Sequence, residues 1–331
     1  MSRHAGASLL VAASLAAVGC AEVSGDLSPG GDPPEPCETV ESIGDLPSVL
    51  LEASGIVRDP RRPDLYWAHN DSGNPAELVA IDGTGRLLGI APIAGVENRD
   101  MEDIALGPCP DGFCLYLGDI GDNLAVHSAI HVHRLPLPEL PPAADTSNVD
   151  PGEPATARTL AAVRPNRSWR FVYPAGPRDA EALAIDERHD ELIIVTKGRE
   201  DVIELYAAGL SDEADEADDA PARRAPRRLR RIGRLPLPIG AGTSQFITAG
   251  DLSPDGNVLA VRSYSTLYRF RWPGATAFDT LSAPEHSPLL GALEAQGEGL
   301  AWSNDGRTIL FVSEGRANRP PTLSRIRCPV P

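Results

Sequence analysis

The sequence predicts an all-β chain folded as a β-propeller of four-stranded antiparallel blades, and three observations predict it. A short motif recurs five times along the chain. Each copy runs through an Asp-containing turn into an apolar, β-rich run, a strong hairpin signal. The chain carries 31 Gly and 32 Pro with no G-x-y period, which indicates many turns. Units repeating every 40–50 residues are the sequence signature of propeller blades. The 331 residues are 42% hydrophobic and 23% charged, a globular balance that excludes a disordered chain or a coiled coil.

Taken from the N-terminus, residues 1–20 have a basic start (Arg3), an apolar run from Ala7 to Val18 and the ending AVGC, with 1–19 as the expected signal peptide. That is a signal-peptide layout, too short in its apolar run to span a bilayer. The ending resembles the lipobox of bacterial lipoproteins, which implies a palmitate-bearing lipid on Cys20. Ala17 stands where a Leu is usual, so secretion without a lipid is the alternative. Residues 20–36 lack periodic apolar positions and read as a flexible tether. A single propeller domain is expected over 37–331.

The repeated motif reads ASGIV (53–57), MEDIA (101–105), AEALA (180–184), AGDLS (249–253) and GEGLA (297–301). Aligned on Ser54, Glu102, Glu181, Gly250 and Glu298, the copies lie 48, 79, 69 and 48 residues apart. The long intervals hold insertions, Pro-rich at 137–154 and acidic then Arg-rich at 211–231, the second read as a solvated segment. The second runs are LYWAHND (65–71), CLYLGDIGDN (114–123), LIIVTKG (192–198), VLAVRSY (258–264) and ILFVSEG (309–315). Five blades are expected, with six left open by the interval from Glu102 to Glu181. After Glu298 only 33 residues remain, enough for three strands, so residues 38–45 are expected to supply the fourth.

The cysteines agree with that seam. Setting Cys20 aside, export leaves Cys37, Cys109, Cys114 and Cys328 in an oxidising compartment, an even count that suggests two disulfides with three connectivities. Cys109 and Cys114 bracket a turn, and Cys37 with Cys328 would then join the two ends of the domain. Closing a loop of about 290 residues contributes roughly 5 kcal/mol in the chain-entropy account. A cysteine metal site would want closer C-x-x-C spacing and a His partner.

In a propeller the starts of the first strands and the ends of the second strands share one face. The starts supply Ser54, Glu102, Glu181, Thr248 to Gly250, and Glu298. The ends supply His69, Asn70, Asp71, Asp119, Asp122, Asn123, Lys197, Arg262, Tyr264 and Glu314. Three glutamates converging on one axis repel one another unless a cation sits among them. Hard oxygen ligands point to Ca²⁺ rather than Zn²⁺. The competing reading is that each Glu bonds the neighbouring blade's backbone.

The order Ser, Glu, Glu, small residue, Glu resembles the calcium-activated nucleotidase (apyrase) family. That resemblance implies a five-bladed propeller with axial Ca²⁺, here on Ser54, Glu102, Glu181, Glu298 and the Thr248/Gly250 position. The segments WAHNDSG (67–73) and GDIGDN (118–123) also look like those of uncharacterised secreted bacterial propellers, a likeness that implies a fold and no activity.

The net charge of −17 argues against nucleic acid as a partner. No G-x-S-x-G elbow, H-E-x-x-H helix or P-loop occurs, and residues 119–123 lack the spacing of an EF-hand. Two function classes remain. One is an envelope-anchored lipoprotein, periplasmic or cell-surface, that binds a small molecule or protein on its polar face. It would be a monomer held to the membrane by its lipid alone. The alternative is a Ca²⁺-dependent phosphoester or nucleotide hydrolase drawing on Asp71, Asp119, Asp122, Lys197 and Arg262. In that reading the two cations grip a phosphate; otherwise they pair with Asp71 or Glu314.

Overall fold

Alternating side chains that are apolar on both sides of a strand must be covered on both sides, and radial packing of small sheets does this. The computed structural model describes residues 36–141, 158–199, 202–211, 225–237, 245–281, 283–289, 294–316 and 318–329. The signal peptide and Cys20 lie outside the described residues, as do most of the Pro-rich insertion and the acidic run.

Five sheets are present among the described residues. β1 (Glu41–Asp45) precedes the first blade, which is β2 (Ala53–Arg58), β3 (Leu65–Asn70), β4 (Glu77–Asp82) and β5 (Leu87–Pro92). Blade 2 is β6 (Met101–Cys109), β7 (Gly112–Asp119), β8 (Ile130–Pro136) and β9 (Arg167–Val172). Blade 3 is β10 (Ala180–Asp186), β11 (Glu191–Thr196) and β12 (Glu204–Gly209), completed by β14 (Arg230–Arg234) after the two-residue β13 (Arg227–Arg228). Blade 4 is β15 (Ile247–Leu252), β16 (Val258–Ser263), β17 (Thr266–Arg271) and β18 (Glu285–Pro288). Blade 5 is β19 (Gln296–Trp302), β20 (Thr308–Glu314) and β21 (Thr322–Arg327), and β1 returns as its outer strand. Neighbouring strands within each blade are antiparallel, and the innermost strands β2, β6, β10, β15 and β19 pack in that order around a closed ring.

The count is therefore five, and the sixth unit is excluded because the interval after Glu102 is spent on a long blade 2. Its insertion leads into β9, while Thr159 and Val163 form parallel bridges to Ile90 of β5 and to Ile93 just beyond it. Arg228, Arg230 and Arg231 are exposed, as expected of a solvated segment, but they lie in strands rather than in a loose insertion. β13 pairs parallel with β9 and β14 pairs with β12, so the arginines build sheet edges.

In blades 1, 4 and 5 the inner hairpin is set by an Asp that satisfies the turn's own donors. Asp305 Oδ1 accepts the N–H groups of Arg307 and Thr308, both at 2.8 Å. Asp59 accepts from Arg61 N at 2.8 Å and from Trp67 Nε1 at 3.0 Å. Gly256 and Gly306 take φ of 68° and 65°, the left-handed corner where glycine costs least.

Packing follows the period of two. In β11, Leu192 and Ile194 face blade 2 while Ile193 and Val195 face blade 4. The same division in every blade yields five apolar clusters, one per blade interface. This explains why the second-strand runs read as continuously apolar, since neither face meets water. Disulfides join Cys37 to Cys328 across the seam and Cys109 to Cys114 across the blade 2 hairpin.

Candidate functional site: the polar mouth of the central channel

Each innermost strand carries a register shift near its start. The residue before it pairs with the second strand, at Ala53–Asn70, Met101–Asp119, Ala180–Thr196, Ile247–Ser263 and Gly297–Ser313. The bulged residue that follows is turned out of the ladder. Those residues are Ser54, Glu102, Glu181, Thr248 and Glu298, a ring of five at one mouth of the channel. The positions just past the paired second-strand residues form a second ring of Asp71, Ile120, Lys197, Tyr264 and Glu314.

Thr248, not Gly250, holds the blade 4 place in this ring. The motif alignment slipped by two residues because sequence similarity matched the apolar positions beyond the bulge. Gly250 is needed for close approach, since a Cβ there would meet Ala182 and Val261 at 3.1 Å. Its N–H reaches Asp103 Oδ2 at 3.3 Å, and the same oxygen accepts from Leu183 N at 2.9 Å. Asp103, fully buried, thus ties blade 2 to blades 3 and 4 below the ring.

The hydroxyl members bond the next blade. Ser54 Oγ donates to the Glu102 carbonyl at 2.7 Å and lies 3.4 Å from Glu102 Oε2. Thr248 Oγ1 lies 3.0 Å from the Gly297 carbonyl and 3.2 Å from that of Glu298. The glutamates behave otherwise. Glu102 belongs to two sets of carboxylates, with Asp71 and Asp100 and with Asp179 and Glu181, in which one oxygen per residue lies within 4.8 Å of the others. Gly121 makes this crowding feasible, for a Cβ there would fall 2.3 Å from Glu102 Oε1 and 2.6 Å from Asp100 Oδ2.

Asp100 and Asp179 are the functional candidates that sequence reasoning missed. The signal was present as Asp-x-Glu in two copies of the motif, Asp100-Met101-Glu102 and Asp179-Ala180-Glu181. Across a bulge, an i, i+2 pair can face the same side.

Burial governs the electrostatics here. It raises Glu102 well above the ordinary carboxylate value, with Glu181 and Asp71 adding repulsion. Burial also raises Glu181 well above, against the opposing field of Lys197. Glu298 and Glu314 are pushed up to about 7, again chiefly by burial. Asp71 and Asp100 move the same way for the same reason. Lys197 is buried, and its Nζ contacts Glu181 Oε1. Desolvation works against its charge, but Glu181, Tyr264 and Glu102 together hold the ammonium above its ordinary value.

The remaining predicted residues lie outside this cluster. Asp119 accepts Asp100 N at 3.0 Å and pairs with Arg99 at 3.4 Å. Asp122 caps its own loop by accepting Val126 N at 2.8 Å and His127 N at 2.7 Å. Asn123 receives Arg199, which also pairs with Asp179 at 2.5 Å. Asn70 donates to the Val49 carbonyl at 2.7 Å. His69 is buried over Gly55, its Nδ1–H donating to the Asn70 carbonyl at 3.0 Å, and burial pushes its pKa down to about 4. It is therefore neutral near pH 7, with Nε2 buried and unpartnered. Arg262 is fully buried in a bidentate pair with Glu294 at 2.6 and 3.1 Å. The expected partners of the two cations, Asp71 or Glu314, are thus replaced by Glu181 and Glu294.

Beside Asp179, a cavity of about 50 Å³ between blades 2 and 3 is lined by Asp122, Arg178, Thr196 and Glu204 among others. No helix among the described residues is long and apolar enough to cross a membrane. No family model matches the chain, and no curated protein matches it. The chain is similar to the solved structure of U3-55K, at 13% identity and a TM-score of 0.42, covering 87% of this chain and 98% of that one. The five-bladed closure rests on this chain's own strand pairing.

Proposed function

We propose that this propeller is a binding scaffold whose polar channel mouth takes up a divalent cation of the Ca²⁺ kind, in support of a ligand or partner on the same face. The observation that carries the reading is Glu102, which belongs to both carboxylate sets. Buried carboxylates lose hydration, and a hard cation with oxygen ligands restores what they lose. Asp179 and Glu181 on one side, and Asp71 and Asp100 on the other, would be the ligands. Ser54 and Thr248 already have backbone partners and would hold the strands rather than the ion. Titration of chelator-stripped protein with Ca²⁺ in a calorimeter should give saturable heat that Glu102→Gln abolishes. Absence of heat in the wild type would refute the reading.

Phosphoester hydrolysis finds less support, because Arg262 is fully buried in its bidentate pair with Glu294 and Lys197 is surrounded by carboxylates rather than by further cations that could share a phosphate. The signal layout of residues 1–20 supports envelope anchoring through Cys20. Cys20→Ser should move the protein from the membrane to the soluble fraction, and a wild type already soluble and unacylated would refute the anchor.

A further inference from the structure

We propose that Lys197 is a tethered counter-cation, occupying the carboxylate cluster when no metal is bound and competing with a divalent ion for it. The inference rests on the metal-binding reading above but concerns a different residue and has its own readout.

Lys197 is the only lysine of the chain, whose other basic residues are arginines. It projects from the end of β11 into the second ring, where blades 1 and 5 place Asp71 and Glu314. Its ammonium contacts Glu181, a member of the Glu102–Asp179–Glu181 set. Its charge is also felt by Glu102, Glu298, Glu314 and Asp71, residues drawn from blades 1, 2 and 5. Arg199 meets Asp179 from a more exposed position. The two cations together balance part of the set without any ion.

Lysine suits this place for a chemical reason. Its ammonium is a compact point charge with three donors on a flexible stem, whereas a guanidinium is a planar fork that commits to one carboxylate. A stem of four methylenes can give up Glu181 and turn across the mouth towards Glu298 and Glu314 of blade 5, whose charges it already feels. Entry of a divalent ion and retreat of the ammonium therefore form one exchange, with no bond made or broken.

The test uses the full chain with Ca²⁺ as probe. Lys197→Met keeps the stem and removes the charge, and it should bind Ca²⁺ at least tenfold more tightly than the wild type. Lys197→Arg should not show that gain. Protein labelled with ¹³C-lysine offers a second measurement that needs no variant. A single Lys Cε resonance should be seen, and it should shift on Ca²⁺ addition with the same saturation point as the calorimetric heat.

Tighter binding by Lys197→Met together with a shifting resonance supports the exchange. Unchanged or weaker binding, or a resonance that Ca²⁺ leaves in place, overturns it. Binding by Lys197→Met with none by the wild type would uphold the lysine as the resident cation and refute the metal-bound function. No binding by either would refute both.

Discussion

Glu298 offers a direct measure of how strongly the channel mouth disfavours charge. Its side chain is nearly fully buried at the bulge of β19, with Gln296 Nε2 donating to Oε1 at 2.5 Å. Burial holds its pKa at about 7 against an ordinary 4.5. In the folded state it therefore keeps a proton that the unfolded chain loses, and stability falls as pH rises between those values. At about 1.4 kcal/mol per pH unit, the span is worth about 3 kcal/mol, fully present below about pH 4.5 and gone above about pH 7. Glu298→Gln is neutral throughout and should not share that loss. Urea unfolding of both proteins in chelator at about pH 4.5 and about pH 8 isolates the effect from Glu314 and other groups that titrate in the same direction. The wild type should lose about 3 kcal/mol relative to the variant over that interval. A constant difference, or one of opposite sign, would show that Glu298 ionises at its ordinary value and that the mouth is better solvated than its burial implies.

The two disulfides should differ in worth. Opening Cys37–Cys328 with a double Ser variant should cost about 5–6 kcal/mol in chain entropy against about 2 for Cys109–Cys114, and chemical denaturation should rank them so. Gly297→Ala would place a Cβ 1.8 Å from Arg262 Nη2 and 2.3 Å from Glu294 Oε2, disrupting a buried ion pair. A loss of about 3–5 kcal/mol is expected. Gly44→Ala, with nothing within 4 Å of the new Cβ, should be close to neutral and serves as its control.

Repeats, turn chemistry and apolar runs made the fold legible, because a propeller uses the same local solution in every blade. The shared last blade was legible from a shortage of residues after Glu298. The channel mouth was legible only in part. Ser54, Glu102, Glu181 and Glu298 stood out by position, yet the blade 4 member was left between Thr248 and Gly250, with the motif aligned on Gly250, because a bulge breaks the register that similarity assumes. Asp100 and Asp179 escaped because they precede the motif, and Asp179 becomes a neighbour of Glu102 only once blades 2 and 3 are side by side. The partners of Lys197 and Arg262 were beyond reach for a similar reason, since long side chains choose among several carboxylates by depth as much as by place in the sequence.

The seam in blade 5 has a consequence for the order in which the molecule can assemble. β1 is among the first segments of the domain to be made, yet its partner β21 is the last of the domain's strands, so the ring stays open until β21 has been made. Long-range pairing of that kind is slow and leaves an unpaired edge exposed in the meantime. The Cα atoms of Cys37 and Cys328 finish only 4.1 Å apart, about the span of a single peptide unit. Joining the ends through one or two residues and opening the chain between two other blades would turn the seam into an ordinary hairpin. Such a permuted chain should close its fifth blade early and leave the vulnerable edge wherever the new ends are placed.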